Sequence, residues 1–193
     1  MIKIAILASG TGTNTKAIID YFKHHDILID VFSDKEDALA LKKAREMGKK
    51  ARFLAFEDNF DFFSKNPYDL YVLAGYMRIL PKEVLSLGTF INIHPSLLPA
   101  FKGKNAIKRA YDYGVKVSGV TIHYVSEEVD AGKIIAQQPI NIDLDMSLME
   151  FEEKIHKIEH FLYPLVIESL IYDKIIDFNM YKKEGDCSCK CSS

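Results

Sequence analysis

Three short segments hold residue types that can do chemistry. In Asn92-Ile93-His94-Pro95, positions two apart on a strand share a face, so Asn92 and His94 project together while Ile93 enters the opposite side. An imidazole there can serve as general acid or electrophile, and an amide can donate to a developing oxyanion. A strand-end histidine bonded to a carbonyl accounts for His94 equally well. Val129-Asp130-Ala131-Gly132 puts a carboxylate on a glycine turn, where a plain turn aspartate is the usual reason for such a residue. Within reach of His94, Asp130 would favour the imidazolium and raise that histidine's pKa. The cysteines, Cys187, Cys189 and Cys191, all lie at the far end of the chain. With no serine or cysteine nucleophile in the set, direct attack by a substrate amine or by water is favoured.

The third segment is Gly10-Thr11-Gly12-Thr13-Asn14, between an apolar run and a helical pattern. Free backbone N–H groups and the helix dipole create an anion site at such a junction. The hydroxyl of Thr13 and the amide of Asn14 suit phosphate oxygens, or Asn14 caps the helix and the loop is a strand-to-helix turn. A dinucleotide fingerprint fits less well: Thr15 stands in place of its third glycine, although Asp34 lies near the expected ribose-binding position. His24-His25 reads as an exposed helix end and His123 as pointing from a strand. Neither gives zinc-ligand spacing with His94, so no metal is expected.

These segments need a frame. Ile2–Ala8, Ile27–Phe32, Arg52–Ala55, Leu70–Ala74 and Phe90–Ile93 read as strands, with helical stretches after Asn14 and over Ala38–Met47. Phe56–Pro67 is the least periodic segment, and holds a short helix and loops. Strands apolar on both faces, alternating with helices, predict an α/β fold with a mainly parallel sheet covered on both sides. Ligands bind such sheets at the carboxyl ends of the strands, where Asn92 and His94 would stand. Val117–Val125 and Lys133–Ile142 flank a turn at Asp130–Gly132 and predict an antiparallel extension over residues 117–142. Ser147, with Glu150 three residues on, caps a long closing helix whose apolar stripe runs through Ile155, Ile158, Phe161, Leu162 and Leu165.

Composition narrows the classes. The chain has 193 residues, 48% hydrophobic and 27% charged, as in a globular protein, and against ~150 residues per domain one domain is the default. It is assigned to residues 1–181, with 182–193 a Cys- and Ser-containing tail outside the fold. That tail offers three thiols, one fewer than a closed structural zinc site requires. A formal net charge of −2 lacks the basic excess of a protein held by nucleic-acid phosphates. No apolar run approaches the ~18 residues of a membrane span, and residue 2 enters an apolar segment without a basic leader. Cysteines confined to the tail fit a reducing cytoplasm.

Asn92-Ile93-His94-Pro95-Ser96-Leu97-Leu98-Pro99 resembles the active-site segment of the folate-dependent formyltransferases. Gly119-Val120-Thr121-Ile122-His123-Tyr124-Val125 with Val129–Gly132 is similar to a second signature of that family, and Gly75-Tyr76-Met77-Arg78-Ile79-Leu80 to a third. The Gly10–Asn14 loop, with Thr13 where serine is usual, resembles the glycinamide ribonucleotide transformylase branch. The likeness runs from Ile2 to about Ile171. It implies a Rossmann-like formyltransferase fold and transfer of a formyl group from 10-formyltetrahydrofolate to the glycinamide amine of N1-(5-phospho-D-ribosyl)glycinamide, in purine (IMP) biosynthesis. It also implies roles. Gly12, Thr13, Asn14, Thr15, His156 and Glu159 would hold the ribonucleotide. Met77, Arg78, Ile79, Leu80, Asn92, Ser126, Glu127, Glu128, Val129 and Asp130 would line the folate pocket. Asn92, protonated His94 and Asp130 would carry the chemistry.

Three departures from the family pattern accompany this likeness: a Phe53–Tyr68 region about ten residues shorter than usual and without its folate-assisting arginine, Lys104-Asn105 after Phe101-Lys102-Gly103, and His156 where glutamine is common. Partners are expected to be small molecules, with no nucleic acid or membrane, on a monomer or homodimer. A formyltetrahydrofolate deformylase, or a non-catalytic phosphate- or folate-binding protein, is the competing reading.

Overall fold

The apolar run Ile4–Leu7 is buried on both faces. Ile4 and Ile6 enter one core, Ala5 and Leu7 a second on the far side of the sheet. This two-sided burial is what a central parallel strand requires. The computed structural model describes residues 1–173. Within them β1 (Ile2–Leu7), β2 (Ile27–Ser33), β3 (Lys50–Phe53), β4 (Leu70–Leu73) and β5 (Phe90–His94) pair in parallel. The strands β6 (Val117–Tyr124) and β7 (Ile134–Asn141) continue the sheet antiparallel. The order is β3-β2-β1-β4-β5-β6-β7. After β3 the chain returns to the other side of β1 to begin β4, so the crevice at the carboxyl ends of β1 and β4 is the topological switch point, where open α/β sheets bind ligands.

Four helices cover the Ile4/Ile6 face: α1 (Thr13–Tyr21), α2 (Leu39–Glu46), α5 (Ala106–Tyr113) and α6 (Leu148–Tyr172). The short helices α3 (Asn59–Lys65) and α4 (Lys82–Leu85) place Phe63 and Val84 on the other. The predicted mainly parallel, two-sided sheet with an antiparallel extension is what the chain forms. Two local expectations are corrected. The strand β3 lies two residues earlier than predicted, because it is a largely exposed edge whose place is set by pairing of Asp30 to Ser33 with Lys50 to Phe53. Asn14 does not cap α1: Gly12 is the N-cap, and Asn14 Nδ2 donates instead to Glu159 Oε2 at 3.2 Å. The helices α4 and α5 were not legible at all. The cysteine tail lies outside the described residues.

The helix α6 closes the molecule. Its start is the predicted capping box: Glu150 N–H donates to Ser147 Oγ, and the Glu150 carboxylate accepts from Ser147 N–H at 2.8 Å. Its stripe buries Phe151, Ile155, Ile158, Leu162 and Val166, with Phe161 and Leu165 only half-buried. The fully buried Tyr163 donates its hydroxyl to the carbonyls of Leu73 and Ile91, 3.0 and 3.2 Å away on β4 and β5. Ser147→Ala is expected to lower unfolding free energy by about 1 kcal/mol, the usual worth of an N-cap, seen as a lower urea midpoint at unchanged m-value.

Candidate active site

The carboxyl end of β5 aims Asn92 and His94 to one side, as their spacing predicts. Pairing with β6 sets His123 directly opposite Asn92 and Thr121 opposite His94. The loop beyond β5 is held by Thr121, whose hydroxyl donates to the Ser96 carbonyl at 2.6 Å and accepts from Leu98 N–H at 3.0 Å. That loop turns through Phe101 at positive φ and delivers its carbonyl to His94 Nε2, which donates to it at 3.0 Å.

Asp130 reaches the pair from the β6–β7 connection. Its Oδ2 lies 3.2 Å from His94 Nδ1 and accepts from Gly103 N–H at 2.7 Å. Its Oδ1 lies 3.4 Å from Asn92 Nδ2 and 3.5 Å from His123 Nε2. His123 Nδ1 donates to the Tyr124 carbonyl at 2.9 Å, and its Nε2 lies 3.3 Å from Asn92 Nδ2. The turn is possible because residue 132 is glycine: a Cβ there would collide with the Tyr124 carbonyl.

Asp130 meets His94 as expected, but the sign of the pKa shift is the reverse of the one predicted. Burial is the largest influence and disfavours the imidazolium. The Asp130 charge and the Phe101 carbonyl oppose it without overcoming it, so His94 sits below the ordinary histidine value. Burial would raise Asp130, yet His123, Gly103 N–H and His94 together hold its carboxyl below the ordinary range. Burial thus biases His94 toward the neutral imidazole, while its neighbours bias Asp130 toward the carboxylate. Both ring nitrogens face acceptors, so a proton gained by His94 meets a counter-ion already in place.

On the other side of the crevice, no side chain caps α1, and its first intrahelical bond is Lys16 N–H to the Gly12 carbonyl. The N–H groups opening the helix are left to an anion. Gly12 is at φ 70°, and a Cβ on it would strike the backbone of Ala40. The glycine thus serves packing against α2 as well as the open loop. Glu159, 5% exposed, accepts on Oε2 from Asn14 and from His156 Nδ1 at 3.0 Å. The Glu159 bond raises the His156 pKa against an opposing effect of burial.

One cavity of about 940 Å³ joins these parts. It is lined by Gly12, Thr13, Asn14, Met77, Arg78, Ile79, Leu80, Asn92, His94, Ser126, Glu128, Val129, Asp130, His156 and Glu159. Two expected residues do not line it: Thr15 turns its side chain into the protein and is fully buried, and Glu127 stands off the wall. Lys104 and Asn105, which depart from the family pattern, also line it, and so does His123, which was missed. The strand pattern hid His123, whose place depends on the β5–β6 register. Asp34 is no ribose ligand here, since Ser9 and Arg78 occupy its carboxylate. Among the described residues no group of three or more His, Cys, Asp or Glu is placed to hold a metal ion, and no helix is long and apolar enough to cross a membrane.

The formyl transferase family profile matches residues 2–167. The chain belongs to the formyl transferase family. Among relatives of this formyl transferase, the phosphoribosylglycinamide formyltransferase of Bacillus subtilis is 39% identical over 189 residues, covering 89% of this chain and 95% of that protein. The protein of the same name from Haemophilus influenzae is 40% identical over 183 residues, covering 87% and 86%. The crystal structure of glycinamide ribonucleotide transformylase 1 from Symbiobacterium toebii superposes with a TM-score of 0.83 at 34% identity, covering 92% of each chain.

If Gly132 gives Asp130 its approach and Asp130 serves the reaction, Gly132→Ala in this formyl transferase will fold yet lose about 100-fold in kcat, the cost of a displacement of about an ångström at a reacting centre. Circular dichroism with steady-state rates separates the two effects.

Proposed function

We propose that this chain transfers the formyl group of 10-formyltetrahydrofolate to the amine of N1-(5-phospho-D-ribosyl)glycinamide, giving the formylglycinamide ribonucleotide and tetrahydrofolate in purine (IMP) biosynthesis. The observation that carries the reading is the single cavity with an uncapped helix N-terminus at one side and the Asn92–His94–Asp130 cluster at the other. An acceptor with a phosphate at one end and an amine at the other would place its two ends at these two sides of the one cavity. The shared name of two relatives near 40% identity over most of their length agrees with it.

The ribonucleotide phosphate sits on the N–H groups of Gly12, Thr13 and Asn14, with Thr15 contributing backbone only. Glu159, oriented by Asn14 and His156, takes the ribose or glycinamide end. The folate lies along Met77, Arg78, Ile79 and Leu80 and the 126–130 segment. With an apolar wall on one side and backbone groups on the other, a pterin fits that face of the cavity. The chain works on small molecules in a reducing cytoplasm, as a single domain over residues 1–181.

The chemistry follows from the lowered pKa of His94, which favours the neutral ring as a proton acceptor. The glycinamide nitrogen attacks the formyl carbon, the carbonyl π pair moves onto oxygen, and the amine becomes acidic as the C–N bond forms. His94 takes that proton, and Asp130 stabilises the imidazolium. The Asn92 amide, held only by bonds of 3.3 and 3.4 Å to His123 and Asp130, turns toward the oxyanion. Collapse re-forms the carbonyl and breaks the bond to folate N10, which leaves with the proton from His94. One proton moves from amine to N10, and no other reactant is consumed.

Asn92→Ala and His94→Ala should fold, bind both substrates and lose ~100 to 1,000-fold in kcat, about 3 to 4 kcal/mol of transition-state stabilisation. Tetrahydrofolate release under saturating substrates measures it, and near wild-type turnover in either variant refutes the role. For pH dependence the sign is fixed by His94 as proton acceptor: kcat falls as pH drops through its pKa. Asp130→Asn removes the charge that raises that pKa. The acid limb should shift to lower pH beneath a reduced plateau, and an unshifted limb contradicts the coupling.

A further inference from the structure

Asp34 lies outside the cavity and follows the last residue of β2, yet both of its oxygens are engaged. Oδ1 accepts the Ser9 hydroxyl at 2.5 Å, and Oδ2 accepts Arg78 Nε–H at 2.8 Å, with only 2% of the Asp34 side chain exposed. Ser9 is 3% exposed and bonds twice more to the 75–80 loop. Its backbone N–H donates to the Gly75 carbonyl at 3.1 Å, and its Oγ accepts Met77 N–H at 2.9 Å. Donation of the single hydroxyl proton to Asp34 turns the Ser9 lone pairs toward Met77. One carboxylate thus fixes two consecutive residues of the loop, Met77 through Ser9 and Arg78 directly.

The rest of the loop is held at its two ends. Leu80 is buried in the core beneath, and Tyr76 packs against the same core and accepts from Asn59 at 3.1 Å. Between them Met77 and Ile79 are 61% and 63% exposed, and the Arg78 guanidinium lies 5.7 Å from the centre of the Phe56 ring. Burial pushes the Asp34 carboxyl up, but Ser9 and Arg78 hold it below the ordinary range. The tie is therefore ionic throughout the neutral pH range. Asp34 also stands away from the chemistry: β1 and β4 separate β2 from β5, whose end carries His94.

We propose that Asp34 is a positioning residue for the folate side of the cavity, acting through Ser9 and Arg78 to hold the 76–79 backbone in its ligand-receiving conformation. The inference rests on the reading of that wall as the folate subsite. It requires a change in folate affinity that leaves the chemical step and the ribonucleotide side alone. In Asp34→Ala the KM for 10-formyltetrahydrofolate should rise about tenfold, the scale of one lost hydrogen bond to a charged group, with kcat and the ribonucleotide KM within about twofold of wild type. Asp34→Asn keeps one acceptor of nearly the same shape and should recover part of the loss. Ser9→Ala should reproduce most of the rise, and adding it to Asp34→Ala should add little.

Should Asp34→Ala not fold, Ser9→Ala carries the test, because it leaves the carboxylate and its Arg78 partner intact. An unchanged folate KM in these variants overturns the proposal, as does a parallel change in both KM values and kcat, which would mark a general structural role. Equilibrium binding of tetrahydrofolate to wild type and variants keeps the two readings apart. Wild-type binding without turnover removes the proposed reaction but leaves the positioning role measurable as weaker binding in the variants. No binding to wild type removes the folate subsite and the proposal with it.

Discussion

A carboxylate whose side chain is 8% exposed keeps its charge only if donors surround it, and Asp130 has them. Gly103 N–H and the Asn92 amide donate to its two oxygens, and the rings of His94 and His123 lie 3.2 and 3.5 Å from them. Remove the charge and three side chains from two strands lose their common reference. The surrounding structure serves this arrangement. Gly132 lets the turn pass the Tyr124 carbonyl, Asp130 itself takes a positive φ of 50°, and Thr121 anchors the loop that brings Phe101 against His94. A buried charge of this kind contributes little net stability. The Asp130 charge favours the imidazolium of His94, against the burial that keeps the ring on the neutral side.

The sheet topology decides where this happens. Because the chain crosses from β3 to the far side of β1, the loops after β1, β4 and β5 open at neighbouring strand ends. The first exposes a helix N-terminus, the second a loop with exposed apolar side chains, and the third the strand-end pair. Three chemically different walls around one crevice follow from strand order. The long helix α6 adds Glu159 and His156 as a fourth, while Tyr163 ties the same helix to β4 and β5.

Much of this was legible in the residues, for local reasons. Period-two spacing put Asn92 and His94 on one face, and the Gly132 turn singled out Asp130. Ser147 and Glu150 marked a helix start that formed as read. What stayed hidden depends on contacts distant in sequence. His123 enters the site only because the antiparallel register sets it opposite Asn92. The sign of the His94 shift reflects burial by several elements, which overrode the carboxylate that sequence could foresee. Asn14 has the chemistry of a helix cap, but Glu159, 145 residues away, takes its amide. Asp34 matched a ribose-binding spacing and is instead claimed by Ser9 and Arg78.

The fate of the formyl carbon tests the central claim most directly. Carbon-13 placed in the formyl group of 10-formyltetrahydrofolate can be followed by NMR after mixing with the protein, with and without the phosphoribosylglycinamide. Transfer predicts that the label appears as an amide on the ribonucleotide, in step with tetrahydrofolate, and stays on folate when the ribonucleotide is left out. Label appearing as formate at the same rate in both mixtures would mean that water is the acceptor, and would contradict the account.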